Sequence, residues 1–283
     1  MSIEENTKTF DERVSYLKEK AKEIRSNLLI MIHKAQSGHP GGSLSASDIM
    51  AAIYFDQLNV DPANPKWADR DRFVLSKGHA CPVWYTCLAL KGFVPMDNIY
   101  TLRQLGSMFQ GHPVASKCPG IDVTAGSLGI GMAQAVGMAL EGKMSKKDFM
   151  VYTICGDGEI QEGIIWEASN TASKYKLDNL IMIVDNNGLQ NDGYSKDVMP
   201  MEPLEEKFKA FGWEVVRING HKMEEVLSAL EKGRVNKGKP FCIIADTIKG
   251  KGVSFMENVR GWHGKPPSDD QLVTALNEIR EGF

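Results

Sequence analysis

Two short motifs follow two apolar runs and carry the first chemistry in this chain. Gly156-Asp157-Gly158-Glu159 comes directly after the β-prone run 149–155, and Asp185-Asn186-Asn187-Gly188-Leu189 comes directly after the run 180–184. Asp157 and Asn187 are 30 residues apart (187 minus 157), about one strand, helix, strand unit. That spacing puts both side chains at the carboxyl ends of neighbouring strands, roughly 5 Å apart, where open α/β sheets bind ligands. A carboxylate, an amide oxygen and a nearby backbone carbonyl form a hard, all-oxygen set of modest charge. Such a set suits magnesium completed by ligand phosphates and water. Gly156 and Gly158 let backbone N–H groups approach a diphosphate. Gly-Asp-Gly is also ordinary turn chemistry; its place after one strand, with Asn-Asn after the next, makes it a ligand site.

The histidines form the second pattern. The chain has 27 glycines and 6 histidines, and five of the histidines are chain neighbours of a glycine: His39, His79, His112, His221 and His263. A histidine beside glycine is individually a turn or cap residue, but so consistent a distribution needs a reason. His33 falls within the first helical pattern and is read as structural. Gly220-His221 falls between a strand and a helix and is read as a connection.

The elements that must position these groups follow from periodicity. Val14, Leu17, Ala21, Ile24, Leu28 and Met31 recur at helical spacing, which predicts a helix over 10–36 with its exit at Ser37-Gly38. A helix over 45–58, a strand over 73–76, helices over 82–91 and 98–105 and a loop over 111–131 follow. The small apolar stretch 130–140 predicts a buried helix. Beyond it, strands (149–155, 180–184, 214–218, 241–245) alternate with helices (160–174, 203–210, 223–232), and a last helix covers 269–280. Strands apolar on both faces, alternating with helices, predict an α/β fold whose mostly parallel central sheet is covered on two sides. No glycine- or serine-rich linker divides the chain, so residues 1–283 are expected to form one domain, with about 1–10 disordered.

Composition sets the outer limits. With 33 basic and 36 acidic residues the net charge is −3. That balance offers no electrostatic footprint for nucleic acid and no polybasic run for an anionic membrane. The longest apolar stretches fall far short of the ~18 residues of a spanning helix, and residues 1–22 show no secretory apolar core; a cytoplasmic protein is expected. Five cysteines, odd in number and without a CxxC pair, predict reduced thiols rather than disulfides or a zinc site. Gly129-Ile130-Gly131 lacks the strong preceding strand and later acidic residue of a nicotinamide site.

The ordered motifs resemble one family. Ser37-Gly38-His39-Pro40-Gly41, Leu75-Ser76-Lys77-Gly78-His79-Ala80, Gly111-His112-Pro113, Gly126-Ser127-Leu128-Gly129, Gly156-Asp157-Gly158, Gln161-Glu162-Gly163, Asp185-Asn186-Asn187-Gly188 and His263-Gly264 resemble the diphosphate-binding part of transketolases, from about residue 15 to 280. The resemblance implies the thiamine-diphosphate-binding fold and cofactor. Magnesium, or calcium or manganese in its place, would be held by Asp157, Asn187 and the carbonyl of Leu189. His39, His79, His112 and His263 would line the channel, bind diphosphate or substrate oxygens and move protons. Gly126 and Leu128 would contact the aminopyrimidine, and Ile248 would pack near the cofactor. Glu162 and Glu167 match glutamates at a subunit interface. Lys249 and Lys251 are read mainly as solvated loop charges. Asn191 departs from an isoleucine common in the family, and the loop between Ile248 and His263 is about two residues longer than usual.

The resemblance covers only the first of the three transketolase domains. The pyrimidine-binding domain, with the glutamate that activates the cofactor, and the carboxyl-terminal domain are expected on a separate polypeptide, in an assembly of two copies of each chain. The implied reaction transfers a two-carbon ketol unit from a ketose phosphate to an aldose phosphate, as in the non-oxidative pentose phosphate pathway. His39 and His263 are the first candidates for proton transfer at pKa values near neutrality. Alternatives are a ketol transferase for an unusual sugar, another two-chain thiamine diphosphate enzyme such as the α chain of a 2-oxoacid dehydrogenase, and a non-catalytic regulatory homologue that binds cofactor or partner.

Overall fold

The computed structural model describes residues 8–282. Of the segment 1–10, residues 1–7 therefore lie outside the described residues. Thr9 accepts the Glu12 N–H (3.3 Å) while the Glu12 carboxylate accepts the Thr9 N–H (2.7 Å). This reciprocal cap starts helix α1 (Phe10–Ala35), whose six periodic apolar positions are all buried. The helix ends at Gln36, in a left-handed conformation (φ 47°) with its N–H donated to the His33 carbonyl. The exit is thus made by a glutamine, just before the expected Ser37-Gly38.

Pro40 is pre-organised for a first helical position, so the next helical run begins there rather than at 45. It comprises α2 (Pro40–Ser45), α3 (Ser47–Ala52) and a wider turn over Ile53–Gln57. His39 thereby becomes the residue that precedes a helix. Then follow β1 (Arg72–Leu75), α4 (Cys81–Lys91), a 3-10 segment Met96–Thr101 where a longer helix was expected, and α5 (Ile130–Met144). The regular half consists of β2 (Val151–Gly156), α6 (Gly163–Lys174), β3 (Leu180–Asn186), α7 (Ser195–Val198), α8 (Leu204–Ala210), β4 (Glu214–Asn219), α9 (Met223–Val235), β5 (Phe241–Asp246) and α10 (Asp269–Glu281).

The five strands form one sheet in the order β1-β2-β3-β5-β4, every pair parallel. Successive residues of a strand face opposite sides, and both sides are buried here. Tyr152, Ile154, Ile181 and Ile183 join the core under α1, α3, α4, α9 and α10. Val151, Cys155, Leu180, Met182 and Val184 join the core under α5, α6 and α8. That is why these strands read as continuous apolar runs. Edge strand β4 is the exception and is only partly buried. All five cysteines are free and buried, and no helix among the described residues is long and apolar enough to cross a membrane.

Helix α5 is buried on one side only. Ile130 and Met144 are 41% and 77% exposed, and Gly137 on the same stripe has open space where a side chain would start. On its inner side Gly131 packs so closely that a Cβ would lie 2.6 Å from Ser76 Cα. Gly131→Ala is expected to cost about 1–3 kcal/mol through overpacking, lowering the thermal midpoint by several degrees. Gly137→Ala should be neutral or slightly stabilising. Equal midpoints for the two variants would refute the close approach.

Candidate functional site

The carboxyl ends of β1, β2, β3 and β5 meet at a cavity of about 420 Å³. Its lining includes His39, His79, His263, Lys77, Lys249, Gly126, Leu128, Gly156, Asp157, Gly158, Asn187 and Leu189. A larger depression of about 600 Å³ beside Arg13, Asp56 and Arg234 is a surface of mutually paired charges, with Arg13 joined to Asp56 and Glu231 and Arg234 to Asp71.

Gly156 pairs in register with Asp185, so β2 and β3 are neighbours and deliver Asp157 and Asn187 to the same end. Asp157 is 5% exposed. Its Oδ2 accepts the Ser195 hydroxyl at 2.6 Å, and it forms no ion pair among the described residues. Burial and then the nearby Asp185 push its carboxyl above the usual range, against the Ser195 bond. A buried carboxylate without a counter-ion is costly, and a cation at this spot removes the cost. Asn187 Oδ1 accepts the Leu189 N–H at 3.2 Å, and both residues line the cavity. These donors are one carboxylate, one amide and one carbonyl; no cluster of three or more His, Cys, Asp or Glu side chains is placed to bind metal among the described residues. The oxygen set fits a hard divalent ion and does not fit a thiophilic one.

Two lysines supply the positive side of the cavity. Lys249 is 2% exposed, which corrects its reading as a solvated loop charge. Gly250 donates to the Gly41 carbonyl at 3.0 Å, and the loop after β5 lies so close to α2 that a Cβ on Gly41 would sit 2.9 Å from the Trp262 carbonyl and 3.0 Å from Lys249 Cγ. The Lys249 ammonium donates to the Leu189 carbonyl (2.8 Å) and to His263 Nδ1 (2.7 Å). The second bond requires an unprotonated Nδ1 and leaves the His263 proton on Nε2. Burial pushes Lys249 down to about 8. Lys251, by contrast, pairs with Glu257 at 2.9 Å.

Lys77 follows β1 and lies 2% exposed. Its ammonium bonds the Gly42 carbonyl at 2.8 Å and forms a close ion pair with Asp185. Asp185 also accepts the Ser45 hydroxyl (2.6 Å) and the Thr247 hydroxyl. Burial opposes its charge, yet the Lys77 ammonium and these donors hold its carboxyl below the usual range. Glu159 carries a third buried carboxylate. It accepts the Ser76 hydroxyl, the Gly129 N–H (2.8 Å) and the Gly156 N–H (3.0 Å), tying three loops together.

The rings of His39, His79 and His263 form a cluster with centroids 5.2 to 5.4 Å apart. His39 Nδ1 is buried without a partner. Burial pushes His39 and His263 down to about 4, helped by Arg103, His112 and Lys249 for the first and by Lys249, His39 and Lys77 for the second. His79 lies well below its usual value for the same reasons, burial first and then Lys77. The expectation of pKa values near neutrality is corrected accordingly: without an anion in the cavity these rings are neutral at pH 7. His112 is not among the residues lining the cavity. It stands behind Gly126, its ring 4.0 Å from where a Cβ on that glycine would be.

Ile248 also lies outside the cavity lining, and its N–H is taken by the ring of His221 (2.8 Å), a residue that looks like a mere connection in the sequence. Glu162 lines the cavity and is exposed, as is Glu167; neither has an ion-pair partner among the described residues. Asn191 also lines the cavity. The sequence assigns no role to Lys77, Asp185, Glu159 or His221. For Asp185 a signal was present, since it is the charged residue at the end of an apolar run.

Comparison with known proteins places this geometry. The family model described as "Transketolase, thiamine diphosphate binding domain" matches residues 17–281. The chain is 45% identical over 265 residues to the 6-deoxy-6-sulfo-D-fructose transketolase subunit of Clostridium sp. (strain MSTE9), covering 94% of this chain and 96% of that one. It is 41% identical over 269 residues to an apulose-4-phosphate transketolase subunit of Phocaeicola vulgatus, covering 95% of each. Among solved structures it superimposes on a transketolase from Campylobacter jejuni with a TM-score of 0.89 and 36% identity; the match covers 94% of this chain and 43% of that one.

Proposed function

Since this chain belongs to the transketolase family, as one of its thiamine diphosphate-binding domains, we propose that it is one half of a two-chain ketol transferase. In this reading it works with a partner chain that carries the pyrimidine-binding domain. The observation that carries the reading is the buried Asp157, without a counter-ion among the described residues, beside Asn187 and the Leu189 carbonyl. These groups are set at the carboxyl ends of adjacent strands and flanked by Lys77 and Lys249. Asp157, Asn187 and Leu189 would hold magnesium. The Gly156 and Gly158 backbone, Lys249 and His79 would receive the diphosphate, and Gly126 and Leu128 would border the aminopyrimidine. Thiamine diphosphate, when bound, supplies the stabilised carbanion on which ketol transfer depends.

The chain's own residues bind, orient and move protons. His263 keeps its proton on Nε2 because Lys249 donates to Nδ1, so its outer edge is a hydrogen-bond donor toward the cavity. His39, which lines the cavity, takes up and returns the proton of a substrate hydroxyl. Burial depresses these rings most, and nearby positive charges add to it; an anion beside them would offset those charges and raise their pKa values. The two-chain arrangement is supported by the two relatives named as subunits, each matched over nearly its whole length. The exposed stripe of α5 with Glu162 and Glu167 is the proposed contact with the partner, in an assembly of two copies of each chain.

The test is ketol transfer from xylulose 5-phosphate to ribose 5-phosphate in magnesium and thiamine diphosphate, with this chain alone, with the candidate partner alone and with both. Activity is expected only with both chains. Full activity from this chain alone would overturn the split site. A second reading, an unusual sugar as substrate, is favoured by the same two relatives, which are named for a sulfonated fructose and for apulose 4-phosphate. Higher activity of the two-chain enzyme on such sugars than on xylulose 5-phosphate would establish it.

A further inference from the structure

His221 sits outside the cavity and outside the motifs that carry the resemblance, yet its ring has both nitrogens engaged. Nδ1 lies 2.7 Å from Asp48 Oδ2, and Nε2 accepts the Ile248 N–H at 2.8 Å. A backbone N–H only donates, so Nε2 carries no proton and the ring's proton is on Nδ1, facing the carboxylate. Asp48 on α3 is in turn clasped by the Arg25 guanidinium of α1 through two bonds, one of 3.1 Å. Burial opposes the Asp48 charge, but Arg25 and His221 hold its carboxyl down to about 2. Three elements distant in sequence thus hold one imidazole in one tautomer.

The place of that hydrogen bond matters. Thr247 still donates to the sheet, at the Asn186 carbonyl (3.1 Å), and Gly250 donates to Gly41. Ile248 is the residue at which the strand ladder has ended and the Gly41 contact has not begun. Its N–H bonds the His221 ring, and the next residue is Lys249, which bonds Leu189 and His263. Arg25 supports the same loop a second time, since a Cβ on Gly252 would lie 3.2 Å from Arg25 Cδ.

We propose that His221 is a positioning residue for the cofactor loop from Ile248 to His263, its Nε2 fixing the Ile248 N–H and thereby the direction in which Lys249 and His263 face the cavity. The proposal rests on the reading of that cavity as a thiamine diphosphate site. His221 touches no cofactor or substrate and acts only through the loop backbone. Removing the acceptor leaves a half-buried N–H unpaired and frees the loop start, while the core strands keep their own hydrogen bonds.

Two readouts without cofactor test the geometry. Nitrogen NMR of the wild-type ring should show Nδ1 protonated and Nε2 accepting; a proton on Nε2 overturns the proposal even if no variant folds. In His221→Leu, amide exchange at Lys249, Gly250 and His263 should be at least ~10-fold faster, with β2 and β3 unchanged; unchanged loop exchange overturns it. With the partner chain, His221→Leu should raise the apparent KM for thiamine diphosphate about 10-fold and lower kcat by a smaller factor, since His263 shifts with the loop, and His221→Gln, whose amide oxygen can accept the same N–H, should restore most of both. An equal fall in kcat with unchanged cofactor KM, or no rescue by glutamine, also counts against it. Failure of the wild-type pair to bind cofactor at all would instead overturn the functional reading, and this role with it, while leaving the ring and exchange results to stand as a loop anchor.

Discussion

Asp157→Ala is expected to weaken magnesium-dependent binding of thiamine diphosphate by at least ~100-fold, which corresponds to about 2.7 kcal/mol. In the proposed ligand set Asp157 is the only carboxylate beside an amide and a carbonyl oxygen, so its loss would remove the entire formal charge offered to the ion. Removing the charge alone, in Asp157→Asn, should stabilise the metal-free chain. Burial, the largest influence, raises the Asp157 carboxyl above its unfolded value, so its contribution is fully favourable only below the ordinary carboxylate range and is lost as pH rises through the raised value. At pH 7 without metal, the wild type thus carries an unpaired buried charge that Asp157→Asn lacks. Thermal unfolding of the two proteins should show the variant higher at pH 7, the gap closing as pH falls toward 4 and reversing when magnesium and cofactor are added. Titration calorimetry gives the affinity; a variant that binds as tightly as the wild type means the ion sits elsewhere.

The second large effect is expected at the ion pair beneath the cavity. Lys77→Met leaves Asp185, which is fully buried, without its cation, and breaking a buried pair from one side costs roughly 3–5 kcal/mol. For a chain of this length that is a fall in thermal midpoint on the order of 10 °C. The sign with pH differs from that of Asp157. In the wild type, Asp185 is held below its unfolded value against burial. Its stabilisation is therefore present above the ordinary carboxylate range and is lost as pH falls through the lowered value. In Lys77→Met burial is opposed only by the Ser45 and Thr247 hydroxyls, so the carboxyl shifts up and the variant should gain stability relative to wild type as pH drops from 7 to 5. A parallel pH dependence for both proteins would show that Lys77 does not govern Asp185. The double change Lys77→Met with Asp185→Asn should recover part of the loss, because it removes the stranded charge.

The sheet and the placing of Asp157 beside Asn187 were legible for one physical reason: both depend on local order along the chain. Apolar runs buried on two faces read as parallel strands, and whatever follows such a run must lie at a carboxyl end, so Asp157 and Asn187 could be placed from spacing alone. The histidine cluster needed the family resemblance, since no periodicity brings residues 39, 79 and 263 together. What escaped was set by long-range burial. Lys249 sits in a glycine-rich loop and looks solvated; it is buried because Gly41 lets that loop close on α2. His221 looks like a connector because its partners, Asp48 and Ile248, are 173 and 27 residues away. The depressed histidine pKa values escaped for the same reason, because they arise from burial and from lysines delivered by other strands. Helix α5 was expected to be buried, as its small apolar residues suggest, yet the stripe of Ile130, Gly137 and Met144 is exposed, because small apolar composition does not say how many sides of a helix are covered.

The Glu159 carboxylate has a consequence for how the protein comes to exist at all. It joins Ser76, 83 residues earlier, and Gly129, 30 residues earlier, to the Gly156 turn. Closing loops of that length costs entropy before any contact rewards it, and parallel pairing makes such contacts slow to form. The wall of the cavity therefore has no local precursor during folding: it comes into being only when β1, the start of α5 and the end of β2 have converged. A chain whose cavity wall is assembled has therefore already closed both of these long loops.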